Sequence, residues 1–252
     1  MNPSSWFVCP QPNPGANLRL FLFPYAGGGP AAFGKWPAEF PDMIETWIAH
    51  YPGRGSRHKE PALKQIAALE EGLTQALRPF LEKPFAFFGH SLGGLVAFEL
   101  ARRLHQENLP QSQVLFLSAC VAPHLPVSDL PIHTLPDRDF LKALQALDGI
   151  PSEVANFPEL IDLLLPTLRA DFEAVETYHF RSNEPAVDCP IVAFGGIDDR
   201  RVRGGHLKAW ARYTSAGFKL QYFPGDHFFL NTSRSAMIAS MTIELKVIYA
   251  RD

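Results

Sequence analysis

The sequence predicts an α/β protein: a mostly parallel central sheet with helices on both faces, carrying a helical insertion in its second half. Three observations predict it. From Leu18 onward, short β-rich runs alternate with helical patterns, the order that a parallel sheet with crossover helices requires. The runs are almost continuously apolar, such as LRLFLF from Leu18 and FAFF from Phe85, as strands buried on both faces must be. The stretch 123–184 then breaks the alternation with prolines at 126, 131, 136, 151, 158 and 166 and several short amphipathic segments.

Leu18–Phe23 is the first clear strand, ending at Pro24 and the Gly27-Gly28-Gly29 loop. Glycines there let backbone approach a ligand without side-chain interference. Residues 46–51 form a second strand that stops at Pro52-Gly53. Over 63–81, Ile66, Leu69, Leu73, Leu77 and Phe80 recur every three or four positions, the spacing of one helical face. A buried strand at 85–88 and a helix at 92–104 follow, and three more strands are expected at 114–119, 191–194 and 220–223. Within the insertion, 140–147 and 160–168 carry apolar helical faces that need cover from water. No internal repeat or linker marks a boundary, so the chain reads as one domain, 1–252, with a mobile lid at 123–184.

Composition narrows the function. Apolar residues make up 46% and charged residues 19% of the 252, the balance of a packed soluble protein. A net charge of −3 supplies no general attraction to nucleic acid or to an anionic membrane. Residues 1–14 lack the basic start and apolar run of a signal peptide, and no stretch is apolar enough to span a bilayer; a cytoplasmic location is expected. Cys9, Cys120 and Cys189 are widely spaced and read as buried or inert thiols. No metal-binding or nucleotide-binding motif occurs, so neither a metal nor a cofactor is expected.

Gly89-His90-Ser91-Leu92-Gly93 has the form G-x-S-x-G, the sharp strand-to-helix turn that lifts a serine above the sheet in α/β-hydrolases. The pattern alone is weak. Its place between an apolar strand and a helix makes Ser91 the candidate nucleophile. In such hydrolases an acid and then a histidine follow in chain order, at the ends of later strands. The strand at 191–194 runs into Gly195-Gly196-Ile197-Asp198-Asp199, and the one at 220–223 into Pro224-Gly225-Asp226-His227. His227 is therefore the candidate general base, with Asp198 or Asp199 orienting it. His90 adjoins the nucleophile but points elsewhere on such a turn, so it reads as a packing or hydrogen-bonding residue. The oxyanion formed on attack needs backbone N–H donors, and Leu92 and Ala26 hold the required places.

These residues resemble the type II thioesterases that accompany nonribosomal peptide and polyketide synthetases. The resemblance runs in order through Phe23-Pro24-Tyr25-Ala26-Gly27-Gly28, Tyr51-Pro52-Gly53-Arg54, the Ser91 turn, Leu165 to Phe172, Gly195-Gly196 and Gly225-Asp226-His227-Phe228-Phe229. The family's acid loop has two glycines, two variable residues, the catalytic aspartate and a valine three residues later. That frame implies Asp199, with Val202. Two positions depart from the family: Tyr25 stands where histidine is common, and Arg200 follows the aspartate where proline is usual. The resemblance implies hydrolysis of aberrant or stalled acyl groups from the phosphopantetheine arm of acyl- or peptidyl-carrier domains, with small acyl thioesters also accepted. Carrier proteins are usually acidic, which makes Arg200, Arg201 and Arg203 candidate docking residues. A chain-terminating fatty-acyl thioesterase, a small-molecule carboxylesterase and an inactive ligand-binding hydrolase fold are the alternatives. The last predicts a lost triad position, and all three are filled.

Overall fold

The computed structural model describes residues 5–126, 130–147, 158–181 and 186–249. Its strands are β1 (Phe7–Val8), β2 (Leu18–Phe23), β3 (Ile44–Ala49), β4 (Phe85–His90), β5 (Leu115–Ser118), β6 (Ile191–Gly196) and β7 (Phe218–Phe223). Among the described residues they form one sheet in the order β1-β3-β2-β4-β5-β6-β7. Every pairing is parallel except β1 with β3. The mostly parallel α/β-hydrolase sheet read from the sequence is thus present.

Alternate residues of each strand feed opposite cores, because successive side chains leave a strand on opposite faces. Phe21, Phe23, Phe85 and Phe87 pack beneath α1 (Ile66–Leu77) and α2 (Leu92–Gln106). Leu20, Leu22, Ala86 and Phe88 meet the helix Arg234–Tyr249 through Met237, Ile238 and Met241. With both faces covered, the central strands β2, β4, β5 and β6 are almost wholly apolar, whereas the edge strand β7 carries Lys219 and Gln221.

Several boundaries differ from the sequence reading. The second strand lies two residues earlier than 46–51, because pairing with β2 sets Leu18 opposite Ile44 and Leu22 opposite Ile48. The helix expected at 63–81 is α1 followed by a 3₁₀ turn, Arg78–Phe80, where Pro79 removes a backbone donor. The edge strand β1 was not anticipated, since two residues carry no periodic signal.

Between β5 and β6 the described chain forms α3 (Asp137–Ala146) and α4 (Pro158–Glu176) and no strand. The short amphipathic segment expected at 160–168 is longer than read: α4 is one 19-residue helix with Pro166 inside it. A proline within a helix forfeits one backbone hydrogen bond. Tertiary contacts offset that loss, as Leu168 and Phe172 of α4 pack on Phe140 and Leu144 of α3, and the Thr167 hydroxyl donates to the Gly53 carbonyl at 2.6 Å. Residues 127–129, 148–157 and 182–184 of the expected insertion lie outside the described residues.

The chain order makes β2 a switch point: β3 is added on one side of it and β4 on the other. Ligand sites of open α/β sheets lie beyond the carboxyl ends of strands at such a point.

Candidate active site

Ser91 follows β4 directly, with φ 54° and ψ −117°. This is a conformation that side-chain-bearing residues rarely adopt. The glycines around it are sterically required. A Cβ on Gly89 would lie 2.0 Å from the Gly93 carbonyl oxygen, and one on Gly93 would lie 2.0 Å from the Phe23 oxygen. The turn therefore seats the start of α2 against the end of β2, bringing Leu92 beside the loop that holds Ala26. A helix start leaves its first amides without intrahelical acceptors and carries a partial positive charge.

On the adjoining strands, the loops after β6 and β7 converge. A Cβ on Gly196 would lie 2.4 Å from the Asp226 carbonyl oxygen, so glycine at the end of β6 allows the two loops to touch. Asp199 Oδ2 accepts a hydrogen bond from His227 Nδ1 at 2.9 Å, while Oδ1 accepts the N–H groups of Arg201 at 2.8 Å and Val202 at 3.0 Å. Burial alone would raise the Asp199 carboxyl, yet the hydrogen bonds from His227 and these two amides hold it below the usual aspartate value. Asp198, its neighbour, is exposed. Asp199 is thus the acid at the imidazole.

Burial lowers His227 from histidine's ordinary 6.5, more than the opposing hydrogen bond to Asp199 restores. The ring is neutral at pH 7, with its proton on Nδ1 toward the carboxylate. Nε2 is buried without a hydrogen-bond partner among the described residues, and is free to accept a proton. Ser91 and His227 line one cavity, together with Ala26, Leu92, Arg200 and Arg201.

His90 sits under this pair, fully buried. Burial holds it well below its ordinary value, and the His227 ring adds to the effect. A carbonyl can only accept, so Nε2 donates to the His227 carbonyl at 3.0 Å and Nδ1 accepts from the Ser118 hydroxyl at 2.9 Å. The histidine read as a hydrogen-bonding neighbour braces the backbone of the other histidine. The ring of Tyr25 covers it edge-on at 5.9 Å.

The cavity, about 300 Å³, has an apolar wall that includes Leu95, Val121, Leu147, Phe172 and Val175. Its volume is at the lower end for small-ligand sites. Cys120 also lines it, but burial pushes that thiol up to about 12, so it is protonated and inert. Cys189 is likewise raised to about 12 and Cys9 to about 11, chiefly by burial. Among the described residues, no group of three or more His, Cys, Asp or Glu side chains is placed to hold a metal, and no helix is long and apolar enough to cross a membrane.

Sequence reasoning passed over two charged residues. Arg54, in the loop after β3, and Asp171, on α4, form a buried two-pronged ion pair at 2.8 Å on each prong. Both stand in stretches quoted for the resemblance, but they are 117 residues apart and nothing local links them.

The family model described as Thioesterase domain matches residues 18–245. The chain belongs to the thioesterase family. This thioesterase is 40% identical over 247 residues to the gramicidin S biosynthesis protein GrsT of Aneurinibacillus migulanus, covering 98% of this chain and 96% of that one. It is 35% identical over 234 residues to the medium-chain S-acyl fatty acid synthase thioesterase of Homo sapiens, covering 89% and 85%. Its fold superposes on the type II thioesterase BorB from the borrelidin biosynthetic cluster with a TM-score of 0.88 at 34% identity, over 96% of this chain and 98% of that one.

Two outcomes follow for the thioesterase. Because burial keeps His227 neutral to lower pH, kcat/KM on an uncharged ester should rise with pH and level off, with its half-point below 6.5; a half-point above that value contradicts the geometry. Gly93→Ala places a methyl 2.0 Å from the Phe23 oxygen and should destabilise the fold by roughly 3 kcal/mol or more, read as a lower urea midpoint.

Proposed function

We propose that this thioesterase is a stand-alone type II enzyme that hydrolyses aberrant or stalled acyl groups from the phosphopantetheine arm of carrier proteins in nonribosomal peptide or polyketide biosynthesis. The observation that carries the reading is the end-to-end likeness to GrsT, a gramicidin S biosynthesis protein, over 98% of this chain and 96% of that one. The acyl group arrives on the partner's arm, so the enzyme uses no cofactor of its own. Such an enzyme works beside its synthetase, in the cytoplasm.

The chemistry assigned to the site is acyl transfer to serine followed by hydrolysis. Ser91 Oγ attacks the thioester carbonyl as His227 Nε2 takes the hydroxyl proton; Asp199 holds the imidazole in the tautomer that can accept it. The negative charge on the carbonyl oxygen is met by the N–H groups of Ala26 and Leu92, the second backed by the start of α2. Collapse breaks the carbon–sulfur bond, and the thiolate leaves with the proton from His227. Water then attacks the acyl-serine with His227 again as base, releasing the acid and restoring Ser91. The α3–α4 segment acts as the lid, with Leu147, Phe172 and Val175 forming the acyl wall. Arg200 and Arg201 at the same cavity, and exposed Arg203 nearby, present positive charge to an acidic carrier.

A second reading, chain termination of fatty-acyl synthesis, is favoured by the likeness to the human medium-chain enzyme. Comparing kcat/KM on short acyl-carrier protein, acyl-CoA and p-nitrophenyl esters separates the two. Proofreading requires short acyl-carrier substrates to be preferred; a preference for medium-chain carriers transfers the assignment to termination.

Ser91→Ala should keep the fold and lose about 10⁶-fold in kcat, together with labelling by a fluorophosphonate. Asp199→Asn should lose about 10⁴-fold, while Asp198→Asn changes the rate little; a reversed order moves the acid to Asp198. Charge reversal at Arg200 and Arg203 should raise KM for an acyl-carrier substrate and leave a small free thioester unaffected. Equal effects on both substrates would remove the docking role.

A further inference from the structure

The loop that carries Ala26 is built around a buried carboxylate. Asp171 is fully buried on α4, and its Oδ2 accepts the Gly27 N–H at 2.7 Å as well as one prong of Arg54. Arg54 Nη1 also donates to the Gly28 carbonyl at 2.9 Å, and the guanidinium lies 5.0 Å from the centre of the buried Tyr51 ring. Gly28 N–H in turn donates to the Tyr25 carbonyl at 2.8 Å.

These bonds hold both peptide planes that meet at Ala26. The Tyr25–Ala26 plane is fixed through its carbonyl to Gly28. The Ala26–Gly27 plane is fixed through its N–H to Asp171. In a trans peptide the N–H points opposite to the carbonyl, so pinning Tyr25 O inside the turn directs Ala26 N–H out of it. From above, Leu168 of α4 would lie 2.5 Å from a Cβ on Gly27, which has φ +75°. From below, the close approach of Gly93 to the Phe23 and Pro24 carbonyls seats the same loop on the elbow.

Arg54 also settles an electrostatic conflict. A bare carboxylate bonded one residue from an oxyanion donor would oppose the charge that develops there, most strongly in a low dielectric. The bidentate guanidinium neutralises it while leaving one lone pair of Oδ2 for Gly27.

We propose that Arg54 and Asp171 are positioning residues for the hydrolytic reaction: the ion pair aims the Ala26 N–H at the oxyanion and makes that aim conditional on α4 being docked. The inference rests on the assignment of Ser91 and Ala26 above. It concerns the acyl carbonyl alone, and therefore holds for any ester or thioester whatever the carrier.

The test separates aim from stability. A buried ion pair replaced by apolar side chains of similar volume often keeps or gains stability, so the double variant Arg54→Met/Asp171→Leu should melt close to the parent protein. It nonetheless lacks the acceptor for Gly27. On p-nitrophenyl butyrate, with active sites counted by fluorophosphonate labelling, kcat should fall about 10- to 100-fold, less than the loss of a whole oxyanion donor, with KM changed only a few-fold. Affinity for the matching trifluoromethyl ketone, which forms a tetrahedral adduct, should fall by the same factor as kcat/KM. Recovery of kcat along with stability would make the pair merely structural and overturn the proposal. Where the double variant fails to fold, Arg54→Lys, which keeps the Asp171 carboxylate on Gly27, should retain most of kcat per labelled site, whereas Asp171→Ala, which removes the acceptor, should not; equal losses, or none, overturn it. A parent protein that takes no label at Ser91 would sink the Ser91 assignment itself, and a labelled double variant with unchanged kcat sinks only the positioning role.

Discussion

The close approach of α2 to the end of β2 is the constraint on which the site depends. Two atoms cannot share the space that a Cβ on Gly93 would take beside the Phe23 oxygen, and the left-handed Ser91 is what allows the chain to turn that sharply. Once that contact exists, the start of α2 faces the loop after β2, so Leu92 and Ala26, which follow two neighbouring strands, line one cavity. Strain of this kind persists only where its surroundings over-determine it. Here it is held by the β4–β5 ladder, which continues one residue further as Ser91 N–H donates to the Ser118 carbonyl at 2.8 Å.

Asp199 and Asp171, both buried, are put to different uses. Asp199 gives one oxygen to His227 and the other to two backbone amides, so its charge orients a base that stays neutral. Asp171 is tied to Arg54 and Gly27, so its charge is spent on holding backbone. Ordinary surface pairs, such as Lys142 with Asp139, contribute little in water. Asp199 and Asp171 matter because each has all its work in a dry site, where an unmatched charge would be costly.

The same logic places the acyl pocket. The sheet is filled on both faces by tightly packed aromatic and aliphatic side chains and cannot reshape easily. The apolar wall is instead contributed largely by α3, α4 and the loop after β5, with Leu95 of α2 beside them. The smaller cluster of Phe140, Leu144, Leu168 and Phe172 joins those helices to each other, and Arg54–Asp171 joins them to the catalytic loop.

Much of this was legible in the residues. Apolar runs such as LRLFLF and FAFF announce a sheet covered on both faces, since only Arg19 interrupts them, and the Gly89–Gly93 turn announces Ser91 because only glycine tolerates the crowding there. The loops ending in Asp199 and His227 were visible as polar residues placed just past strands. Spacing alone left Asp198 and Asp199 open and the family frame implied Asp199; adjacent side chains point different ways, and the meeting of the loops after β6 and β7 brings Asp199 to the imidazole. The roles of His90, Arg54 and Asp171, and the unbroken course of α4 through Pro166, were decided by tertiary structure alone. Local sequence sets what a segment can bury and how its backbone can turn, whereas a hydrogen bond between residues 117 apart exists only once the chain has packed.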